Sequence, residues 1–217
     1  FGAAAERSAA GRLEGYTARL AEERLGLPAG LYASLAERVD TVFHCAADVG
    51  HYGERAAFLR ANLEATKGII AFAREAGAHL AHCSTLSVSG SHLTDDPERA
   101  VSFDEDDLYI GQNIDNNDYV YSKFLAEAAV AEALAQGLSG GIHRIGHLTG
   151  RYSDGLFQRN IGQNALYLRL RSIAALGALP ESARSIALEF TPVDCCAERM
   201  VALTAAAKSQ SGNSQSI

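Results

Sequence analysis

The sequence predicts an α/β fold built from βαβ units around a parallel sheet, and three observations carry that prediction. Short apolar runs alternate with long stretches of helical periodicity. Glycines stand where those helical stretches stop. With 217 residues, 47% hydrophobic and 21% charged, the chain is sized for one core rather than two.

Val39 to Ala47 (VDTVFHCAA) is predicted as a buried strand running into a loop, and Leu80 to Ser84 as a second strand. Between them, Arg55 to Ala76 places Leu59, Leu63, Thr66, Ile70 and Ala73 on one face at helical spacing, with Gly77 as the stop; this is the crossover helix. Residues 91 to 118 hold nine acidic side chains against one arginine, together with Pro97 and an Asn-Asp cluster, the pattern of a solvated loop. A second long helix is expected from about Asp118 to Gln136, capped by the polar NNDY cluster and closed at Gly137. Gly141 to Ile145 reads as a third strand, Asn164 to Leu176 as a third helix and Pro192 to Thr204 as a fourth. Residues 1 to 207 are read as one domain and the polar, low-complexity 208 to 217 as a tail expected to fray. A first residue that is Phe1 and not methionine predicts a piece of a longer chain.

Charge and composition exclude several functions. Nineteen basic against 26 acidic side chains give a net charge of -7, so no global basic field is present to bind nucleic acid. No apolar run approaches the ~18 residues that cross a bilayer, and the start FGAAAERSAAGRL lacks both a basic and an apolar signal region, so no membrane contact and a cytoplasmic location are expected. The four cysteines (Cys45, Cys83, Cys195, Cys196) lie in apolar stretches without C-x-x-C or histidine-paired spacing, which predicts buried thiols in a reducing compartment and no metal site.

Tyr119 and Lys123, four apart at the start of a helix, share one face. A phenol is a poor proton donor at neutral pH, but a nearby ammonium favours the phenolate and makes it usable. The same spacing also arises when a tyrosine simply packs on a lysine stem. Ser84-Thr85 stands at the carboxyl end of a predicted parallel strand, where open α/β sheets bind ligands. A hydroxyl there reaches the same substrate oxygen as a tyrosine on the next helix, giving two donors to a developing oxyanion. Asn62 falls on the apolar stripe of its helix, where a bare amide costs ~1 to 3 kcal/mol unless bonded. It is either a bond to a neighbouring strand's backbone or a support that orients the lysine through water.

Seven motifs occur in one order: HCAA (44 to 47), N-x-x-x-T-K (62 to 67), CSTLSVSG (83 to 90), DLYIGQN (107 to 113), Y-x-x-SKF-x-AE (119 to 127), RIGHLTGRYSDG (144 to 155) and TPVD (191 to 194). Together they resemble the thioester reductase domains that terminate nonribosomal peptide synthetases and carboxylic acid reductases, in the extended short-chain dehydrogenase/reductase family. The likeness runs over roughly Leu25 to Thr204.

The resemblance implies a Rossmann-like, doubly wound sheet with helices on both faces and NADPH as cofactor. It implies Thr85, Tyr119 and Lys123 as a catalytic triad with Asn62 as helper. Ala46 and Ala47 would line the cofactor, with Ser84, Tyr119, Lys123, His147 and Leu148 also on the cofactor side. Ser87, Thr149 and Arg151 would face the substrate. The expected partner is a phosphopantetheinylated acyl or peptidyl carrier protein within a larger multidomain chain, the acyl group leaving as an aldehyde, with a second hydride giving the alcohol.

Three departures accompany the resemblance. Family members usually carry asparagine where this chain has His147. Ala18-Arg19-Leu20 stands where a Gly-Asp-Leu is expected, and the first strand, its glycine-rich loop and most of the C-terminal substrate lobe are missing: no G-x-x-G-x-x-G occurs. This predicts either an excerpt of a larger domain or a degraded copy; intact catalytic positions favour the excerpt. The rivals are an epimerase, dehydratase or hydroxysteroid-type dehydrogenase acting on a free substrate, against which DLYIGQN and GRYSDG speak, and a noncatalytic module of the same fold. Finally, Gly141 to Arg199 holds seven arginines against five acids. Arg151, Arg159, Arg169 and Arg171 are expected to border the entry of the carrier's arm.

Overall fold

The computed structural model describes residues 11–50, 53–90, 101–157, 161–179, 181 and 189–213. Its centre is a parallel sheet in the order β1-β2-β3: β1 (Thr41–His44), β2 (His79–Thr85) and β3 (Gly140–Ile145). Thr41 pairs with His79 and His44 with His82, while Leu80 pairs with Gly140 and Thr85 with Ile145. All three carboxyl ends therefore open on one side.

Before the sheet, helix α1 (Ala29–Arg38) follows Pro28, whose fixed φ and missing N–H suit a helix start. The crossover from β1 to β2 is one helical run in three parts: α2 (Arg55–Phe58), a π-helical segment (Leu59–Glu64) and α3 (Ala65–Ala76). The π turn changes which residues face inward. Phe58, Asn62, Ala65, Thr66, Ile69 and Ile70 are buried, whereas Leu59 and Leu63, expected on the buried face, are half-buried. Gly77 closes α3 in the left-handed region at φ 61, as expected of a helix C-cap. Gly68 has a different role: a β-carbon there would lie 2.3 Å from the Leu20 carbonyl oxygen, so only glycine lets the 19–26 segment rest on α3.

The return from β2 to β3 is α4 (Asp118–Ala135), capped by the Asn117 side chain, which accepts from the Val120 N–H at 3.1 Å. The main core lies between these layers, with Leu25 and Tyr32 meeting Ile69, Ile70, Phe72 and Ala73 of α3, Leu80 of β2, and Val130 and Ala133 of α4. Strand alternation turns Leu80, His82 and Ser84 to one face and Ala81, Cys83 and Thr85 to the other.

Beyond β3, β4 (Leu148–Thr149) pairs in parallel with β5 (Thr191–Pro192), a two-stranded piece the sequence pattern did not predict. Helix α5 (Ala165–Leu176) is capped by Asn164 and ends at Gly177. Helix α6 (Val193–Asn213) packs on β2 and β3.

The structure corrects two expectations. First, the acidic loop is not merely solvated. Its residues 91–100 lie outside the described residues, but Gln112 and Ile114 are buried, and Ile114 packs with Val88 and Phe124. Gln112 is held in that position by donating to the Val88 and Leu108 carbonyls at 3.1 and 2.7 Å. Second, the polar stretch from 208 continues α6 as far as Asn213. Lys208 donates to Thr41 Oγ1 at 2.7 Å and pairs with Asp40 at 3.1 Å, tying that turn to the start of β1. Residues 214–217 lie outside the described residues.

Candidate active site

Thr85 ends β2, and Tyr119 and Lys123 occupy successive turns at the start of α4. The fold brings all three together at the carboxyl end of the sheet. The Thr85 side chain lies near enough to the Tyr119 phenol to favour its ionisation. Lys123, only 4% exposed, donates from Nζ to the Cys83 carbonyl oxygen at 2.6 Å. An ammonium has three N–H donors, so two are left for a ligand's hydroxyl groups.

Electrostatics differ from the sequence expectation. Burial pushes the Tyr119 phenol up from its ordinary value, partly opposed by the Thr85 side chain. Lys123 was expected to lower it, but its own charge is destabilised by burial and one of its protons is held by the Cys83 carbonyl. In this structure Tyr119 is a neutral donor, and Thr85 is the partner that eases its ionisation.

Asn62 is 1% exposed and fully bonded. Its Oδ1 accepts from the Asp48 N–H at 2.7 Å, while Nδ2 donates to the Asp48 carbonyl at 3.0 Å and to Ser122 Oγ at 2.8 Å. Ser122 in turn donates to the Tyr119 carbonyl at 2.8 Å. These bonds fix the loop after β1 that carries exposed Ala46 and half-buried Ala47, and they reach the helix turn of Tyr119. Asn62 makes no hydrogen bond to Lys123 among the described residues.

Ser84 turns away from this cluster. It donates to Glu127, which is 0% exposed, and Glu127 receives Arg144 Nε at 2.9 Å and Nη2 at 2.7 Å. Arg144 also donates to the carbonyls of Asp104, at 2.8 Å, and Asp107, and lies over the Phe103 ring at 4.7 Å. A buried carboxylate needs such pairing. The network ties β2, α4, β3 and the acidic loop into one body behind the site. Sequence reasoning missed it, although Glu127 stands one helical turn from Lys123 within the Y-x-x-SKF-x-AE motif.

Of the remaining expected positions, Ser87 contacts the cluster through Thr85. Ser87 is exposed and donates its N–H to Thr85 Oγ1 at 3.2 Å. His147 and Leu148 are exposed, the His147 N–H donating to Glu189 at 2.6 Å. Thr149 is half-buried in β4, and Arg151 is paired with Asp154. No hydrogen bond or ion pair among the described residues joins His147, Thr149 or Arg151 to Thr85, Tyr119 or Lys123. Asp194 holds the 150–155 turn by accepting the N–H groups of Tyr152 at 2.8 Å and Ser153 at 3.2 Å; these bonds pull its carboxyl well below the usual carboxylate range. Arg159 and Arg184 lie outside the described residues, while Arg169 and Arg171 are exposed on α5.

The thiols depart from expectation too. Cys45 and Cys195 are exposed, and Cys45 Sγ lies 3.1 Å from Cys83 Sγ. The strands' alternation is the reason: Cys45 and Cys83 follow the paired His44 and His82 and point to the same face.

Tested against this chemistry, the site suits the nicotinamide-ribose half of a dinucleotide. The spare donors of Lys123 and the Tyr119 hydroxyl match a sugar diol at the end of a parallel sheet. No glycine-rich pyrophosphate loop occurs in the sequence.

Comparisons with known proteins agree with this geometry. The profile of the family described as "Male sterility protein" matches residues 2–200. A linear gramicidin synthase polypeptide of Brevibacillus parabrevis is 29% identical over 194 residues, 89% of this chain but 4% of that protein. A thiolation-reductase di-domain from an archaeal non-ribosomal peptide synthetase is 35% identical with a TM-score of 0.72, over 79% of this chain and 37% of that one. The terminal R domain of the myxalamid PKS-NRPS pathway is 26% identical with a TM-score of 0.78, over 91% and 48%. This chain thus spans less than half of each of these proteins.

Proposed function

Because the chain belongs to the male sterility protein family of NAD-binding domains, we propose that it is the core of an NADPH-dependent reductase releasing an acyl or peptidyl thioester from the phosphopantetheine arm of a carrier protein. Residues 1–207 form one reductase domain, and the chain belongs to a larger multidomain protein. The observation that carries the reading is the meeting of Thr85, Tyr119 and Lys123 at the carboxyl end of the sheet. The likeness to reductase domains of peptide synthetases supports the substrate class.

Bound cofactor supplies a hydride to the thioester carbonyl. Lys123 would hold the ribose hydroxyls with the donors not spent on Cys83, and Asn62 keeps the loop bearing Ala46 and Ala47 in place. Ser84 anchors the end of β2 through Glu127 and positions its neighbour Thr85. As charge builds on the carbonyl oxygen, Thr85 and Tyr119 donate to it, each donor worth on the order of 10²-fold. Tyr119 then gives up its proton, a transfer worth ~10²- to 10⁴-fold. Collapse of the resulting thiohemiacetal expels the arm's thiol and leaves an aldehyde. His147 and Leu148 line the nicotinamide side, while Ser87, Thr149 and Arg151 face the substrate.

The experiment is incubation of a thioester-loaded carrier with the full-length protein and either NADPH or NADH. Aldehyde formed with one free thiol per cofactor oxidised, and preferentially with NADPH, is expected. Release of a carboxylic acid without cofactor oxidation would overturn the reading.

A further inference from the structure

Three of the four cysteines gather at the carboxyl end of β1 and β2 on the face where α6 packs. Cys45 and Cys83 stand one residue beyond the paired His44 and His82, and their sulfurs are hydrogen-bonded at 3.1 Å. Neighbouring strands run ~4.8 Å apart, inside the ~4.4 to 6.8 Å between α-carbons that a disulfide spans. A spacing of that order is compatible with a bond between the two sulfurs, which are already in contact. Cys196 of α6 feels the charge of Cys45 but makes no hydrogen bond to either sulfur among the described residues.

The two thiols are not equivalent. Cys45 is exposed, and its hydrogen bond with Cys83 and the Lys123 ammonium nearby lower its thiol to about 7. Cys83 is half-buried and pushed up by its bond to Cys45 and by burial. An attacking thiolate is most effective when its pKa lies near the ambient pH, so Cys45 is the reactive member and Cys83 the resolving one.

We propose that Cys45 and Cys83 form a peroxide-sensitive dithiol that closes to an intramolecular disulfide across the ends of β1 and β2. The Cys45 thiolate attacks one oxygen of a hydroperoxide. An S–O bond forms, the O–O bond breaks, and the departing alkoxide takes a proton and leaves as an alcohol, or as water from hydrogen peroxide. Cys83 sulfur then attacks Cys45 sulfur; the S–S bond forms, the S–O bond breaks, and hydroxide leaves with the Cys83 proton as water. Two thiols have lost two electrons, and the hydroperoxide has taken them up. The chemistry does not depend on the reductase reading.

The test is hydrogen peroxide treatment of the native protein, followed by thiol titration and peptide mapping under nonreducing conditions. Of the four thiols within residues 1–217, two are expected to be lost, with a link between the peptides bearing Cys45 and Cys83 that dithiothreitol reverses. Cys83→Ser should accumulate a sulfenic acid at Cys45 that dimedone traps, at a rate rising with pH as the thiolate forms. Four thiols surviving, or a link from Cys45 to Cys196 or to a second molecule, would overturn the proposal. The map of the parent protein decides the matter even if Cys83→Ser fails to fold.

Discussion

The Lys123 ammonium donates to the carbonyl oxygen of Cys83 at 2.6 Å, so the helix that carries Tyr119 is pinned by a buried charge to the strand that carries Thr85. One side chain thereby links the two elements that carry the hydroxyl donors. Lys123→Met is expected to weaken NADPH binding roughly ten- to hundredfold, the worth of a charged hydrogen bond of ~1.5 to 3 kcal/mol. It should also raise the thiol titration of Cys45, because the ammonium that lowers it is gone. Cofactor titration by fluorescence and the pH profile of thiol alkylation check the two halves separately. Unchanged cofactor affinity would remove the ribose contact.

Thr85 separates catalysis from packing through paired substitutions. Thr85→Ser keeps a hydroxyl and should retain most of the rate. Thr85→Val keeps the shape and should lose on the order of 10²-fold, as for deletion of one oxyanion donor. Steady-state rates of both variants measure the difference, and equal rates would assign Thr85 to packing alone.

The buried histidines make stability depend on pH. Burial holds His44 at about 4, below its ordinary 6.5, and keeps His82, whose ring nitrogens have no hydrogen-bond partner among the described residues, well below that value too. Under acid, the unfolded chain takes up protons that the folded one refuses. The stabilisation is whole above pH 6.5, falls as the pH drops and, for His44, levels off below about 4. Thermal melts of the parent from pH 7.5 to 5 should show Tm falling. His82→Leu, which keeps the volume and removes two unbonded nitrogens, should keep or raise Tm at neutral pH and flatten the acid slope. A steeper slope in that variant would contradict this account.

Docking of the carrier can be read from kinetics. Arg169→Glu with Arg171→Glu, on the exposed side of α5, should raise KM severalfold for a carrier-bound thioester and leave that for a small thioester mimic nearly unchanged. An equal rise for both substrates would place the defect in the active site and not at a docking surface.

Much of the fold was legible from local pattern. The strands at Thr41–His44, His79–Thr85 and Gly140–Ile145, and the capped helices between them, follow from runs, periodicity and glycine stops that a single segment displays by itself. What escaped depended on pairing between distant segments. The two-residue strands β4 and β5 carry no periodicity; they exist because Thr191 donates to the His147 carbonyl at 2.9 Å. Glu127 and Arg144 each look like ordinary charged residues until the fold buries the carboxylate under the guanidinium. The Y-x-x-x-K spacing put Tyr119 and Lys123 on one helix face, but not the direction of the phenol's shift, which burial decides. Asn62 was conspicuous on an apolar stripe, and only the structure shows its amide spent on Asp48 and Ser122.

The central claim is that Tyr119 delivers the proton as the thioester is reduced. Its most direct measurement is single-turnover reduction of a carrier-bound thioester by the full-length protein and by its Tyr119→Phe variant, with cofactor saturating and the fold of each verified by circular dichroism. The account predicts a fall of ~10²- to 10⁴-fold in the rate of aldehyde formation with cofactor affinity held within a fewfold. A Tyr119→Phe rate within threefold of the parent would contradict it.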